Sequence, residues 1–278
     1  MIKYMMNWLS KFSKNRAFIH LSTSIPEEFV RLWEFFKFLG KIYVFFCLFF
    51  KIFVLRAEWV ETGSMVPTCA TNDYVIVSSI AFGFKFANIY IPGFDWRLLE
   101  KFSFLIEPKM VYKDPSYGDV VAFLDPSNKD TIYCKRIIAC GGDTIQVING
   151  VVHINKKMCN LKYVGPYWYT ENEKEHEGSL FKETLPNGLE HEVFFLHNLG
   201  DGNWDCTEEM IIPKDHYFMM GDNRQNSLDS RAIVGFVHKN HILGRVVFRL
   251  IANGNARSLN PLLIINSMDW KKCFQKII

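Results

Sequence analysis

The chain has 278 residues but only 8 histidines and 7 cysteines. No CxxC spacing occurs, and His238 and His241 lie close together without a carboxylate motif, so no metal set is implied. No glycine-rich loop able to cradle phosphate is present, and no organic cofactor is implied. The formal net charge is +3, with no basic cluster, which argues against a nucleic-acid partner. Helical periodicity is almost absent after Leu55, which points away from a helical bundle. Long apolar runs are also missing. The uncharged stretch Ile42–Phe50 would make about 14 Å of helix, against about 30 Å of bilayer hydrocarbon.

What the chain does have is apolar and aromatic residues. Hydrophobic residues make up 49% and aromatics 15%, with 25 phenylalanines, which suits a membrane-associated protein. The stretch Leu39–Leu55 reaches about 25 Å of helix if Lys41 and Lys51 snorkel to opposite interfaces. This predicts one transmembrane helix over residues 35–55; a buried or interfacial helix is the alternative. The run starts deep in the chain and no small-x-small site follows, against a cleaved leader. Basic residues crowd the side before it: Lys3, Lys11, Lys14, Arg16, Arg31, Lys37 and Lys41. The positive-inside rule then places residues 1–34 in the cytoplasm and the chain after Arg56 outside.

Three stretches carry candidate chemistry. The first is Thr62-Gly63-Ser64-Met65-Val66-Pro67-Thr68, a glycine–proline bend between an apolar run and the strand-like Tyr74–Val77. A bend of small polar residues is a common turn. Read with the other two stretches, it presents a serine at the mouth of a sheet. The second is Asp130–Ala139, a strand closed by Gly141-Gly142-Asp143. Alternation puts Tyr133, Lys135, Ile137 and Ala139 on one face, with Lys135 its only charge. A lysine on an apolar face loses its proton more readily, because desolvation disfavours the ammonium form. An edge-strand lysine that blunts aggregation is the other reading. The third is Tyr217–Arg231, an apolar strand running into a polar loop dense in Asp, Asn, Ser and Arg. In it, Asp229 and Arg231 can form a bidentate pair that holds Ser227.

Together with Tyr117–Phe123, and in this order, the three stretches resemble the type I signal peptidases, bacterial members above all. The resemblance spans roughly Phe49 to Gly244. It implies that Ser64 is the nucleophile and Lys135 the general base. It implies that Ser227 orients the lysine, and that Thr62 helps the Ser64 amide form an oxyanion hole. Asp229 and Arg231 become the supporting pair, and Met65 is placed on the rim of the substrate pocket. The implied activity is that of a membrane-bound serine endopeptidase, working through an acyl-enzyme and without a cofactor. Its partners would be signal peptides of secreted precursors and membrane lipid, and it would act as a monomer at the inner (cytoplasmic) membrane of a bacterium. A lysine can serve as base only when neutral, so its pKa, ordinarily about 10.4, must fall. Glu61, Cys69 and Ala139-Cys140 depart from the usual pattern of that family and bear on the pocket rim.

Runs at Val120–Leu124, Ile132–Ala139, Thr144–Ile148 and Val151–Ile154 read as strands, with Asn149-Gly150 as a hairpin turn. The expected fold is mainly β, built of twisted antiparallel sheets of the signal-peptidase type. Residues 56–143 and 214–278 would form the catalytic β domain, and 144–213 an inserted smaller β domain. The aromatic stretch 80–106 reads as a packed sheet or as a hairpin dipping into lipid. The basic-aromatic end, Asp269–Phe274, is a candidate lipid contact. Cys159 and Cys206 are the candidate disulfide pair. Two other classes share parts of the pattern. One is a self-cleaving serine–lysine repressor, which would need a DNA-binding head; the other is a non-enzymatic, membrane-anchored β protein. A signal-peptidase relative with a narrower set of substrates also fits.

Overall fold

The computed structural model describes residues 27–53, 55–83, 113–128, 131–171, 174–252 and 268–277. Most of the aromatic stretch 80–106 lies outside the described residues. Phe82 is described, and it is buried in a core cluster with Val121, Phe123 and Ile137.

Two compact units result, Met1–Phe50 and Lys51–Ile278. Helix α1, Glu27–Phe53, supplies all the described residues of the first unit and ends three residues past it. Its 27 residues would extend about 40 Å. Charged residues at Arg31, Glu34, Lys37 and Lys41 break up its apolar surface. Among the described residues, no helix is long and apolar enough to cross a membrane. The helix also departs from the expected span of 35–55: it starts at Glu27, and Leu55 already belongs to a strand.

The second unit is made of antiparallel sheets. The largest has eight strands, in the order β1 (Leu55–Trp59), β2 (Tyr74–Ser78), β14 (Ile242–Ile251), β3 (Val120–Leu124), β4 (Ile132–Cys140), β12 (His216–Met220) and β13 (Val237–His238). The eighth, β15 (Gln275–Lys276), pairs with β14. Residues 144–211 supply two smaller sheets. One joins β11 (Met210–Ile211), β5 (Thr144–Ile148), β6 (Val151–Ile154) and β7 (Lys157–Met158). The other joins β10 (Glu190–Phe195), β9 (Lys174–Thr184) and β8 (Asn160–Glu171).

Local chemistry explains the elements near the site. Asn149 and Gly150 both take positive φ, 48° and 80°, as the tight β5–β6 hairpin requires. Strand β4 alternates as expected through Ile137. Its pairing with β12 then shifts register between Phe218 and Met219, which leaves Ile138 as an extra residue. Ala139 consequently packs with Ile138 in one cluster, while Tyr133 and Ile137 pack in another. The expected single face therefore ends at Ile137. Cys159 and Cys206 are free thiols, the first buried and the second exposed, so no disulfide joins them. Trp270 and Phe274 at the C-terminal end are exposed.

Candidate active site

Ser64 sits on a buried 3-10 turn, Gly63–Met65, between β1 and β2. Lys135 sits mid-strand on β4, 2% exposed. Its Nζ lies 2.6 Å from Ser64 Oγ. The Thr62 hydroxyl donates to the same oxygen at 3.3 Å. Burial pulls the Lys135 amine below its ordinary value; Asp229, Cys134 and Asp222 pull it back up, while Arg231 adds to the fall. The Tyr133 ring, 5.5 Å from Nζ, offers the cation a further weak attraction. Burial outweighs it, and the net shift is down.

The loop after β12 closes around this pair. Asp229 and Arg231 make a bidentate contact, Nε to Oδ1 at 2.9 Å and Nη2 to Oδ2 at 2.8 Å. Asp229 also accepts from the Gly221 N–H at 3.0 Å, and Arg231 donates to the Arg224 carbonyl at 2.6 Å. These bonds pin both ends of the loop. Ser227 lies against Gly221, where an added Cβ would collide with the Ser227 hydroxyl and the Ser64 carbonyl. The Ser227 hydroxyl is buried and makes no hydrogen bond of normal geometry, to Lys135 or to any other described residue. It is near enough to Asp229 to favour the ionised carboxylate there. Met65 is not on a rim. It is 1% exposed and packs with Val60, Cys69, Val75 and Val246.

Several residues at the site went unassigned in the sequence. Asn223 donates its side-chain N–H to the Gly63 carbonyl at 3.0 Å and its backbone N–H to the Ser64 carbonyl at 3.1 Å. Arg136, the neighbour of Lys135, is buried and paired with Asp222. Asn223 and Asp222 stand inside the motif loop and Arg136 inside the lysine motif, so their signal was present. Glu171 belongs to none of the three motif stretches. Its carboxylate accepts from the Gly63 N–H at 2.6 Å.

A second buried network lies behind the site. Arg224 reaches Glu183 on β9 through Nη1 to Oε1 at 2.9 Å and Nη2 to Oε2 at 2.5 Å. His191 on β10 approaches Glu183 at 3.3 Å. Burial lowers the His191 pKa, Arg136 lowers it further, and Glu183 and Asp222 oppose them. The motif loop is thereby tied to the segment 144–213 by charge-assisted hydrogen bonds.

Comparison with known proteins follows the same lines. A family model described as "Signal peptidase, peptidase S26" matches residues 32–251. A signal peptidase I of Rickettsia canadensis (strain McKiel) is 31% identical over 237 residues, covering 83% of each chain. That of Rickettsia prowazekii (strain Madrid E) is 30% identical, covering 84% of this chain and 83% of its own. A crystal structure of a signal peptidase I from Enterococcus faecalis V583 aligns at 23% identity with a TM-score of 0.29, over 48% of this chain and 97% of that one. The chain is a mainly β serine endopeptidase. It belongs to the signal peptidase family, peptidase S26, and to its signal peptidase I class.

Proposed function

We propose that the chain cleaves N-terminal signal peptides from exported precursors, with Ser64 as nucleophile and Lys135 as general base. One observation carries the reading: a buried lysine nitrogen 2.6 Å from the serine oxygen, with the amine pKa lowered by burial. A serine hydroxyl is a weak nucleophile until a neighbouring base takes its proton. Neutral Lys135 accepts that proton as Ser64 Oγ attacks the scissile carbonyl. The proton passes to the leaving amine, and an ester forms on Ser64. Lys135 then takes a proton from water, and the hydroxide releases the acyl group.

The tetrahedral oxyanion needs donors in place beforehand. The Ser64 N–H, on the buried 3-10 turn, is one. The Thr62 hydroxyl, now on Ser64 Oγ, turns about its χ1 to supply the other. Ser227 lies close enough to the loop around Ser64 to steady the amine during turnover. Asp229 and Arg231 hold that loop rigid.

The precursor binds extended beside a strand edge near Ser64, and small side chains before the cut fit shallow pockets. The site works at the outer face of the cytoplasmic membrane, with residues 1–34 inside. Support for this comes from the crowding of basic residues before Ile42 and from exposed aromatics along α1, including Trp33, Tyr43 and Phe45. Incubation with a purified precursor tests the reading. Wild-type enzyme yields mature protein and a trapped acyl-enzyme on Ser64; Ser64→Ala and Lys135→Ala yield neither while remaining folded. Near-full turnover by Lys135→Ala overturns it.

A further inference from the structure

We infer that Glu171 is a positioning residue for the serine turn, acting through the Gly63 amide. The inference rests on the reading of Ser64 as nucleophile. Glu171 ends strand β8, in a hairpin 108 residues further along the chain from Gly63. Its Oε1 accepts from the Gly63 N–H at 2.6 Å and from the Thr71 hydroxyl at 2.8 Å. Its Oε2 receives a longer contact from Asn226 Nδ2 at 3.4 Å. A Cβ on Gly63 would meet the carboxylate at 3.0 Å, so residue 63 must be small for the contact to form.

The peptides around Ser64 are gripped from both sides. Glu171 holds the N–H edge of Gly63. Asn223 holds the Gly63 carbonyl from its side chain and the Ser64 carbonyl from its backbone. Asn223 is itself steadied by the Tyr169 hydroxyl, two residues before Glu171 on the same strand. The hairpin therefore presents two adjacent same-face residues, Tyr169 and Glu171, to the turn. Turning the Gly63 peptide would turn the Ser64 N–H that follows it. That amide must already point at the oxyanion when charge develops, because a donor misplaced by an ångström loses most of its effect. A carboxylate is a poor neighbour for a developing oxyanion. What it contributes is therefore the reach of its oxygen to the amide, not its charge.

Reach and charge are separable. Glu171→Gln keeps the reach and loses the charge; Glu171→Asp keeps the charge and withdraws the oxygen by one methylene. Cleavage of a precursor is measured for both, beside wild type and Ser64→Ala, with thermal unfolding as the check on folding. The expected result is a kcat lowered about tenfold or more in Glu171→Asp with KM within about twofold. For Glu171→Gln, kcat stays within about threefold of wild type. A Glu171→Asp enzyme with wild-type kcat, or a Glu171→Gln enzyme as slow as Glu171→Asp, overturns the inference. A loss carried by KM alone overturns it too. Cleavage that survives Ser64→Ala instead brings down the nucleophile reading, and the inference with it.

Discussion

Arg136 and Asp222 face each other through two parallel hydrogen bonds, Nε to Oδ1 at 2.9 Å and Nη2 to Oδ2 at 2.8 Å, and each is 1% exposed. Arg136 also donates to the Gly118 carbonyl at 2.8 Å, and the Thr68 hydroxyl donates to Asp222 at 2.5 Å. One ion pair thus joins the lysine strand, the serine segment and the motif loop. Removing one partner leaves a buried charge without its counterion. Asp222→Ala is expected to lose about 3–5 kcal/mol in urea unfolding. A loss below about 1 kcal/mol would mean that water reaches Arg136 and takes over the role of Asp222.

Lys135 sets function against stability. Its folded-state pKa is lowered by burial, and its ordinary value is 10.5. At pH values between the two, the unfolded chain binds the proton and the folded chain does not, so stability rises with pH. Lys135→Met removes that dependence along with the base. It should abolish cleavage and raise the unfolding temperature at neutral pH, and the gain should shrink as pH climbs towards 10.5. Wild-type cleavage should increase as pH rises through the lowered pKa, because only the neutral amine accepts a proton.

Ser227 carries a buried hydroxyl without a normal hydrogen bond. Deleting such a group costs the fold little. Ser227→Ala should therefore change stability by no more than about 1 kcal/mol. Turnover should nonetheless fall by about tenfold to 100-fold, if the hydroxyl steadies the amine during the reaction. Equal turnover in the two proteins would remove Ser227 from the working site.

Acid should unfold the protein through three carboxylates. Burial raises the pKa of Asp222, Asp229 and Glu183, but the Arg136, Arg231 and Arg224 guanidiniums overcome it, and each ends below its ordinary value. A lowered folded-state pKa gives stability that is complete above the ordinary value and lost as pH falls through the folded one. The ordinary values are 3.8 for the two aspartates and 4.5 for Glu183. The contribution of these three carboxylates to the unfolding temperature should stay level above that range and drop steeply below it. Glu183→Gln should flatten part of the drop.

Gly221 leaves room for the serine. An added methyl would collide with the Ser64 carbonyl and with the Ser227 side chain. Backbone on one side gives little way, so Gly221→Ala should cost about 1–3 kcal/mol. Cleavage should fall further than stability, since the displaced atoms belong to the nucleophile's own residue. Assaying both on one preparation separates the two losses.

Much of this was legible along the chain. The runs at Val120–Leu124, Thr144–Ile148 and Val151–Ile154 became strands with those boundaries. Alternating side chains and an Asn-Gly turn are local signals, and local signals survive in one dimension. The pattern of serine bend, lysine strand and polar loop was local as well, and it was enough to name the family.

Contacts that cross the sheets left no such trace. Glu171 reaches Gly63 only because a long hairpin folds back over the serine turn, and nothing in its neighbours along the chain announces its target. The extra residue at Ile138 depends on how β12 pairs with β4, so Ala139 changed sides without any change in its own sequence. Met65 went into the core because the turn that carries Ser64 also closes an apolar cluster. Sequence alone determined which chemical groups this protein has and the order in which they come. Tertiary structure decided which of them lose their water, because desolvation depends on everything packed around a group and not on its neighbours in the chain.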